Sequence, residues 1–473
     1  MSPRNAALPA DGLPPPERLR AMITLGVAVA MSVLDSAIAN IALPTIAREL
    51  AATPASSIWV VNSYQLAVTV SLLPLASLGD ILGYKRVYGV GLAVFTLASA
   101  ACAASQTLPM LVASRVLQGL GGAGIMSVNT ALVRFVFPRA MLGRGIGFIA
   151  FVVATSSATG PSVAAAILSV ASWHWLFAVN ILPGAIALWL AVRVLPMTPR
   201  SRHRFDVLGA ALNAATLGLL IFAVDELGRG ERASWAAGEL AAAALLGCIF
   251  IIRERARTAP ILPVDLFRRP IFALSVGTSI CSYTAQSTAY VSLPFLFEDA
   301  GHLSQIATGL LMTPWPAIVV IVAPIAGRLS DRAAPTLLGA MGLAVMTVGM
   351  ALLLTMPTQP AWGNVAWRMA VCGFGFGFFQ SPNNRLLVGA APPERSGAAS
   401  GMLSTARLLG QTTGSAVVAL TFGIAAASGA GIAAGVRLSL LAGLVAAAGA
   451  TAISLVRIRH RGRPRRRPAS PLP

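Results

Sequence analysis

Residues 21–47 read AMITLGVAVAMSVLDSAIANIALPTIA. The run is long enough to cross a bilayer as a helix, and its only formal charge, Asp35, sits near the middle. A carboxylate at the bilayer centre costs roughly 2.5–3.5 kcal/mol on insertion scales. Such residues therefore face a cavity or a polar neighbour, and they commonly carry protons or ligands. Desolvation raises the pKa of any carboxylate and a nearby cation lowers it, so an acid that alternates between those surroundings can exchange a proton.

The rest of the chain repeats this apolar character. Its 473 residues are 56% hydrophobic and 11% charged, which is too apolar for a soluble core. Apolar runs recur at about 21–47, 57–79, 87–106, 109–132, 145–168, 175–195, 207–224, 233–252, 271–297, 304–327, 335–356, 362–384, 397–424 and 434–456, giving about fourteen helices in an all-α membrane protein. The cuts at SVASWHWL and TMPTQPAWG rest on interfacial Trp173 and Trp175 and on the turn prolines Pro357 and Pro360. The formal charge of +19 suits cytoplasmic loops under the positive-inside rule, and no soluble basic domain is present to bind nucleic acid. Cys102, Cys248, Cys281 and Cys372 lie scattered in apolar runs and fit neither a disulfide framework nor a metal site.

Charge is unevenly divided between alternate connections. One set carries Lys85, Arg86, Arg134, Arg139, Arg144, Arg193, Arg200, Arg202, Arg204, Arg253, Arg255, Arg257, Arg268, Arg269, Arg328, Arg332, Arg385 and Arg395, whereas the other holds only Arg48, Arg229, Arg232 and Arg437. The richer set, with both termini, is expected inside, and the basic tail extends that surface toward anionic lipid. Residues 1–20 are expected to form a disordered cytoplasmic tail, 21–200 a first six-helix bundle, 201–257 an inserted helix pair, 258–457 a second bundle and 458–473 a basic cytoplasmic tail.

Two bundles are expected because the sequence repeats. ASRVLQGLGGAGIMSVNTALV (Ala113–Val133) is echoed by WRMAVCGFGFGFFQSPNNRLLV (Trp367–Val388), PLASLGD (Pro74–Asp80) by PIAGRLSD (Pro324–Asp331), and IALP (Ile41–Pro44) by VSLP (Val291–Pro294). Gly147 to Gly160 and Gly401 to Gly414 are equally spaced, each pair closing on Thr-Gly. The offset of about 250–254 residues marks a parallel duplication, with the helices near 207–252 left over as an insertion.

LDSAIANIALP (Leu34–Pro44), WVVNSYQLA (Trp59–Ala67), LGDILGYKR (Leu78–Arg86) and RVLQGLGGA (Arg115–Ala123), taken together and in order, resemble the major facilitator superfamily, in its fourteen-span drug:proton antiporter branch. The first of these is similar to that branch's first-helix signature, the second to its second-helix opening and the last to its fourth-helix motif. LGDILGYKR (Leu78–Arg86) resembles the superfamily loop motif, with Ala76 and Ile81 departing from it. Gly160-Pro161 keeps the centre of the antiporter motif, although Ser156, Ala164 and Ala165 replace its glycines, and WHWLFAVNILP (Trp173–Pro183) resembles the sixth-helix signature with His174 at an Arg position. The resemblance implies a transporter of small drug-like molecules driven by the proton gradient, with no cofactor; the residues show no metal-binding motif, and Lys85 as the sole lysine beside many Arg, Ala and Gly suggests GC-rich coding in a bacterium, hence a cytoplasmic membrane. The resemblance leaves a monomeric state open.

Within that frame Asp35 and Arg115 are the proton-coupling candidates. Arg115 pairs an intramembrane cation with the acid, the plain alternative being a packing residue bonded to helix carbonyls. Trp59, Asn62 and Gln65, then Gln118, then Tyr283, Gln286 and Tyr290 are candidate cavity residues; either stripe would serve equally as polar glue between helices. Asp80, Gly83, Lys85, Arg86, Asp331 and Arg332 are candidates for a cytoplasmic gate of ion pairs, against the alternative of solvated loop charges. Gly160 and Pro161 bend a helix while keeping it close to its neighbour. Gly119, Gly121 and Gly124 spell GxGxxG inside a continuous apolar run with no strand before it, so they read as helix packing and not as a dinucleotide loop. A membrane-embedded enzyme or sensor finds no support in any nucleotide, zinc or Cys/His motif. The expected topology places Ser428 outside: a cysteine there should label from the external side, and labelling only from the inside would overturn the fourteen-span count.

Overall fold

Long apolar stretches punctuated by Gly, Pro and short polar turns can satisfy their backbone in lipid only as helices, and helices are what the chain forms. The computed structural model describes residues 12–138, 141–201, 205–229, 233–257, 262–330, 332–357, 361–392 and 395–461. The first half comprises α1 (Pro15–Glu49), the short α2 (Pro54–Ser57), α3 (Trp59–Leu82), α4 (Tyr84–Ala103), α5 (Leu108–Val136), α6 (Leu142–Leu168), α7 (His174–Ala178) and α8 (Ile181–Val194). The pair α9 (Val207–Arg229) and α10 (Ala233–Arg255) follows. The second half comprises α11 (Pro270–Phe295), α12 (Gln305–Met312), α13 (Pro314–Leu329), α14 (Pro335–Leu354), α15 (Trp362–Gly389), α16 (Ser396–Ala427) and α17 (Gly431–Arg461).

Twelve of the described helical segments are long and apolar enough to cross a membrane. α11 and α15, at 26 and 28 residues, are equally long but more polar, with Ser and Thr along one and Asn383 and Arg385 on the other. Both pack among other helices of the second half, where a span shielded from lipid can carry polar side chains. One expectation changes at the N-terminus. Residues 15–20, assigned by composition to a disordered tail, form the first turns of α1, because Pro15 suits the first helical position and Arg18 hydrogen-bonds the carbonyl of Leu13 at 2.9 Å. Residues 1–11 and 462–473 lie outside the described region.

The duplicated glycines sit at matching helix contacts. A Cβ on Gly119 would lie 2.6 Å from the carbonyl oxygen of Tyr64 on α3, and one on Gly121 would lie 2.4 Å from the nitrogen of Phe95 on α4. In the second half, Gly373 meets the carbonyl oxygen of Trp315 on α13 at 2.4 Å and Gly375 meets the nitrogen of Met346 on α14 at 2.3 Å. The GxGxxG run is therefore a seam where backbones touch. Gly160 on α6 faces Ala37 of α1, its Cβ position 2.5 Å from that methyl, and its counterpart Gly414 on α16 faces Ser287 of α11 at 2.6 Å.

A comparison of two glycines checks this packing. Gly89, with nothing within 4 Å, should become neutral to more stable on Gly89→Ala, since Ala gains about 0.5–1 kcal/mol of helix propensity. Gly121→Ala should instead lose about 1–3 kcal/mol through overpacking. Thermal denaturation of the purified variants reads the two signs, and a stabilised Gly121→Ala protein would contradict the close α4–α5 contact.

Candidate functional site

The site assembles around Asp35 at the middle of α1, which is 1% exposed. Arg115 of α5, fully buried, donates from one Nη to Asp35 Oδ2 at 2.5 Å. The other carboxylate oxygen accepts from Gln118 Nε2 at 2.9 Å and from Asn180 Nδ2 at 2.8 Å. Asn180 joins α7 to α8 and Gln118 lies one turn beyond Arg115 on α5, so two segments deliver three donors to one acid. Asp35 thus meets its charge with an ion pair and two amides, as a buried ion requires.

Arg115 is held as firmly. Its Nε donates to the carbonyl of Val60 at 2.9 Å and one Nη to Gln118 Oε1 at 2.6 Å, while the guanidinium lies 4.2 Å from the centroid of the Tyr64 ring and 5.5 Å from that of Phe177. Its second Nη has no hydrogen-bond partner among the described residues. Gln118 Nε2 also reaches Ser99 Oγ at 2.9 Å, carrying the network to α4. The sequence pointed to Asp35, Arg115 and Gln118 but missed Asn180, Tyr64 and Ser99. Asn180 stood within the quoted WHWLFAVNILP, where a lone amide in the apolar stretch from Leu176 to Pro183 was the available signal.

The candidate cavity residues divide. Asn62 and Gln65 both accept from Ser415 of α16, the latter at 3.1 Å, and Thr69 lies 3.4 Å from Thr412, so this face of α3 joins the two halves. Trp59 turns elsewhere, stacking on Phe222 of the inserted helix α9 with centroids 5.1 Å apart. The helical wheel explains the split: at 100° per residue Trp59 falls about 90° from the mean direction of the other three. In the second half Tyr283 accepts a hydrogen bond from Gln380 at 2.7 Å and packs edge-on to Phe376, Tyr290 packs on Trp315, and Gln286 is half-buried on the same helix.

At the end of the bundle marked by Asp80, the expected ion pairs give way to a different lock. The Tyr84 hydroxyl donates to Asp80 Oδ1 at 2.5 Å, the Tyr84 amide to Thr198 Oγ1 at 2.9 Å and the Ser201 amide to the Asp80 carbonyl at 2.7 Å. Gly83, with φ of 95°, makes the turn that brings Tyr84 back over Asp80. Among the described residues neither Lys85 nor Arg86 forms an ion pair with Asp80, because the tyrosine one turn along reaches it first. Asp331 lies outside the described residues, and Arg332 follows it directly.

The opposite end carries the ion pairs between halves. Arg48, in the last turn of α1, donates to Glu298 at 2.9 Å and to Asp299 at 2.6 Å, both in the π-turn Leu296–Ala300 after α11. Thr45 and Gln305 complete the contact, Gln305 donating to Thr45 Oγ1 at 2.7 Å. Glu298 is buried in this seam. Burial pushes its carboxyl up to about 7, against the opposing pull of Arg48 and with a small upward push from Asp299.

A buried ion pair inside one of two duplicated helix bundles, with polar seams between them, defines a polytopic membrane carrier. The chain belongs to the Major Facilitator Superfamily, whose sequence profile matches residues 25–415. It is 53% identical over 413 residues to the uncharacterized transporter YebQ of Escherichia coli (strain K12), covering 87% of this chain and 90% of that one. It is 32% identical to the riboflavin transporter RibZ of Clostridioides difficile (84% and 86% covered) and 32% identical to the multidrug resistance protein Stp of Mycobacterium tuberculosis (85% and 75% covered). The fold matches a bacterial homologue of the human lysosomal transporter Spinster, solved inward-facing and unoccupied, with a TM-score of 0.68 at 15% identity over 94% of this chain and 98% of that one. The chain is a transporter and not an enzyme, and its relatives support the superfamily's drug-efflux branch.

The Arg48 seam makes a pH-dependent prediction. A carboxyl at about 7 when the seam is closed, and near its ordinary 4.5 when the seam opens to water, binds a proton more tightly in the closed state. Acidification from pH 7 to 5 should therefore favour closure by roughly tenfold or more, and the bias should vanish above pH 8. Asp299 keeps its ion pair with Arg48 while Glu298 is protonated. Distances between spin labels across this end, measured against pH, should shorten in acid for the parent and respond less in Glu298→Gln; opening in acid would reverse the sign and reject the assignment.

Proposed function

We propose that this transporter exports small lipophilic organic molecules, preferentially cations, from a bacterial cytoplasm in exchange for protons, by alternating access of the two halves. The observation that carries this reading is the Asp35–Arg115 pair, sealed from water and caged by Gln118 and Asn180. Both termini and the Asp80 end would face the cytoplasm, in keeping with the excess of arginine in those connections. The Arg48 end would face outward.

The chemistry follows from charge balance. With Asp35 ionised the cluster is neutral, and the acid can stay buried. Protonation of Asp35 removes that compensation and leaves Arg115 with Val60, Gln118 and an aromatic face, too little to neutralise a buried guanidinium. The protonated state therefore favours a rearrangement that hydrates or re-pairs Arg115, and this links proton uptake to a change in the helices that hold it. A cation binding against Asp35 would first have to part it from Arg115, so proton and cation compete for one carboxylate. The electrical part of the proton gradient supplies about 2.3 kcal/mol per charge per 100 mV.

Stp, named for multidrug resistance, supports export of drugs, whereas RibZ, named for riboflavin, favours a metabolite carrier on the same fold. Flux in proteoliposomes under an imposed pH gradient separates exchange from cotransport: an antiporter drives substrate against the proton flow. Asp35→Asn should fold and insert normally yet lose gradient-driven export to the level of empty vesicles, because the amide keeps the shape but not the titration. For a quaternary ammonium dye bound to purified protein, acid should weaken affinity in the parent and the curve should flatten in Asp35→Asn. Normal active export by well-folded Asp35→Asn protein would reject proton coupling at this residue.

A further inference from the structure

A groove of about 740 Å³ runs along the side of the first half, between α3 and α5 on one wall and the inserted α9 on the other. Its walls are apolar along most of their length, with Val70, Leu120, Trp59 and Phe222 among the lining residues. Two carboxylates break this surface, Glu226 near the end of α9 and Glu239 near the start of α10. Among the described residues no donor reaches Glu239 Oε2, a buried atom, and the same residue borders a second hollow of about 370 Å³ beside Trp235. The proton-coupling network lies on other helix faces and uses neither acid.

The layout is polarised. Glu226 and Glu239 stand three and six residues from the ends of their helices at the α9–α10 turn, which is roughly 5–9 Å at 1.5 Å per residue. Ala214 and Gly218, also in the wall, lie a further 12–18 Å or so along α9. An acid at the boundary of the hydrocarbon, above a long apolar trough and beside stacked aromatic rings, complements a molecule with a cationic head and a lipophilic body. An unpaired carboxylate there is costly by itself and is relieved by a cation that arrives with little water.

We infer that this lateral groove is a binding site for monovalent cationic amphiphiles entering from the bilayer, with Glu239 and Glu226 as counter-charges and the Trp59–Phe222 pair as an aromatic wall. The site is separate from Asp35, and occupancy does not depend on proton exchange there. It gives the carrier a place to collect lipophilic cations at the membrane boundary, where such molecules concentrate.

The test uses a long-chain quaternary ammonium probe carrying a diazirine, with its uncharged amide analogue, on the full-length protein in phosphatidylcholine nanodiscs. Photolabelled peptides are mapped by mass spectrometry. The cation should label peptides from α3, α5, α9 and α10, and Glu226→Gln with Glu239→Gln should cut that labelling about tenfold, the factor that 1.4 kcal/mol of lost pairing represents. The amide analogue should label parent and variant alike, and Asp35→Asn should leave groove labelling unchanged. Loss of groove labelling in Asp35→Asn would instead tie it to the central site. Phe222→Ala, which keeps both acids, should weaken cation labelling and guards against a folding defect in the double variant. Equal labelling of parent and glutamine variant by the cation, equal preference for the amide, or displacement of the cation by added phosphatidylethanolamine would each overturn the inference, the last by making the groove a lipid site.

Discussion

A carboxylate and a guanidinium cannot be carried into a low-dielectric interior singly, and the arrangement of the first half follows from keeping Asp35 and Arg115 together. Their contact draws α1 against α5, Asn180 draws in the α7–α8 junction, and Gln118 passes the network to Ser99 on α4. The desolvation of either ion alone would exceed several kcal/mol. The pair therefore acts as one neutral unit, and a single proton is enough to undo that neutrality. Few other perturbations the size of a hydrogen ion change so much electrostatic energy in so small a volume.

The duplication sharpens the point. Glycines of the two halves meet matching neighbours, Gly119 and Gly373 on one seam and Gly121 and Gly375 on another, so the packing was kept in both copies. At the offsets of 250 and 254 residues that relate these halves, Asp35 corresponds to Ala285 and Arg115 to Met369. The ion pair exists in one copy only. A scaffold with near two-fold symmetry thus carries an asymmetric charge site, and the second half offers Tyr283 and Gln380 in a hydrogen-bonded, uncharged arrangement. Its buried cation, Arg457, is instead bound by Ser275, Asn383 and Ser454, groups that do not titrate.

Much of this was legible in the sequence, for physical reasons that differ by element. Long apolar runs leave no choice but helices, the offset between echoing motifs reveals two halves, and a lone acid within a span demands a partner, for which Arg115 was the natural candidate. Which neighbour each helix face meets is not encoded in its periodicity. Hence Trp59 was grouped with Asn62 and Gln65, although it turns toward the inserted pair, and Asp80 was matched to Lys85 and Arg86 although Tyr84 reaches it first. Asn180 was hidden because one amide among apolar residues looks the same whether it packs or holds an acid. α11 and α15 show the converse, since burial among other helices permits polarity that a lipid-facing span would not tolerate.

The inserted pair has its own mechanical standing. An Asp206 carboxylate, gripped by two nitrogens of Arg253 at 2.6 and 2.7 Å, clasps α9 to α10. Asn213 of α9 is tied to the carbonyl of Val70 on α3 at 3.0 Å, while the face of α9 toward the second half packs on α16. The pair thus straddles the two halves, held to α3 by the Asn213 bond and the Trp59–Phe222 stack and packed more extensively on α16. Any relative movement of the halves would have to slip this pair over one of them, like a strap laid across a hinge.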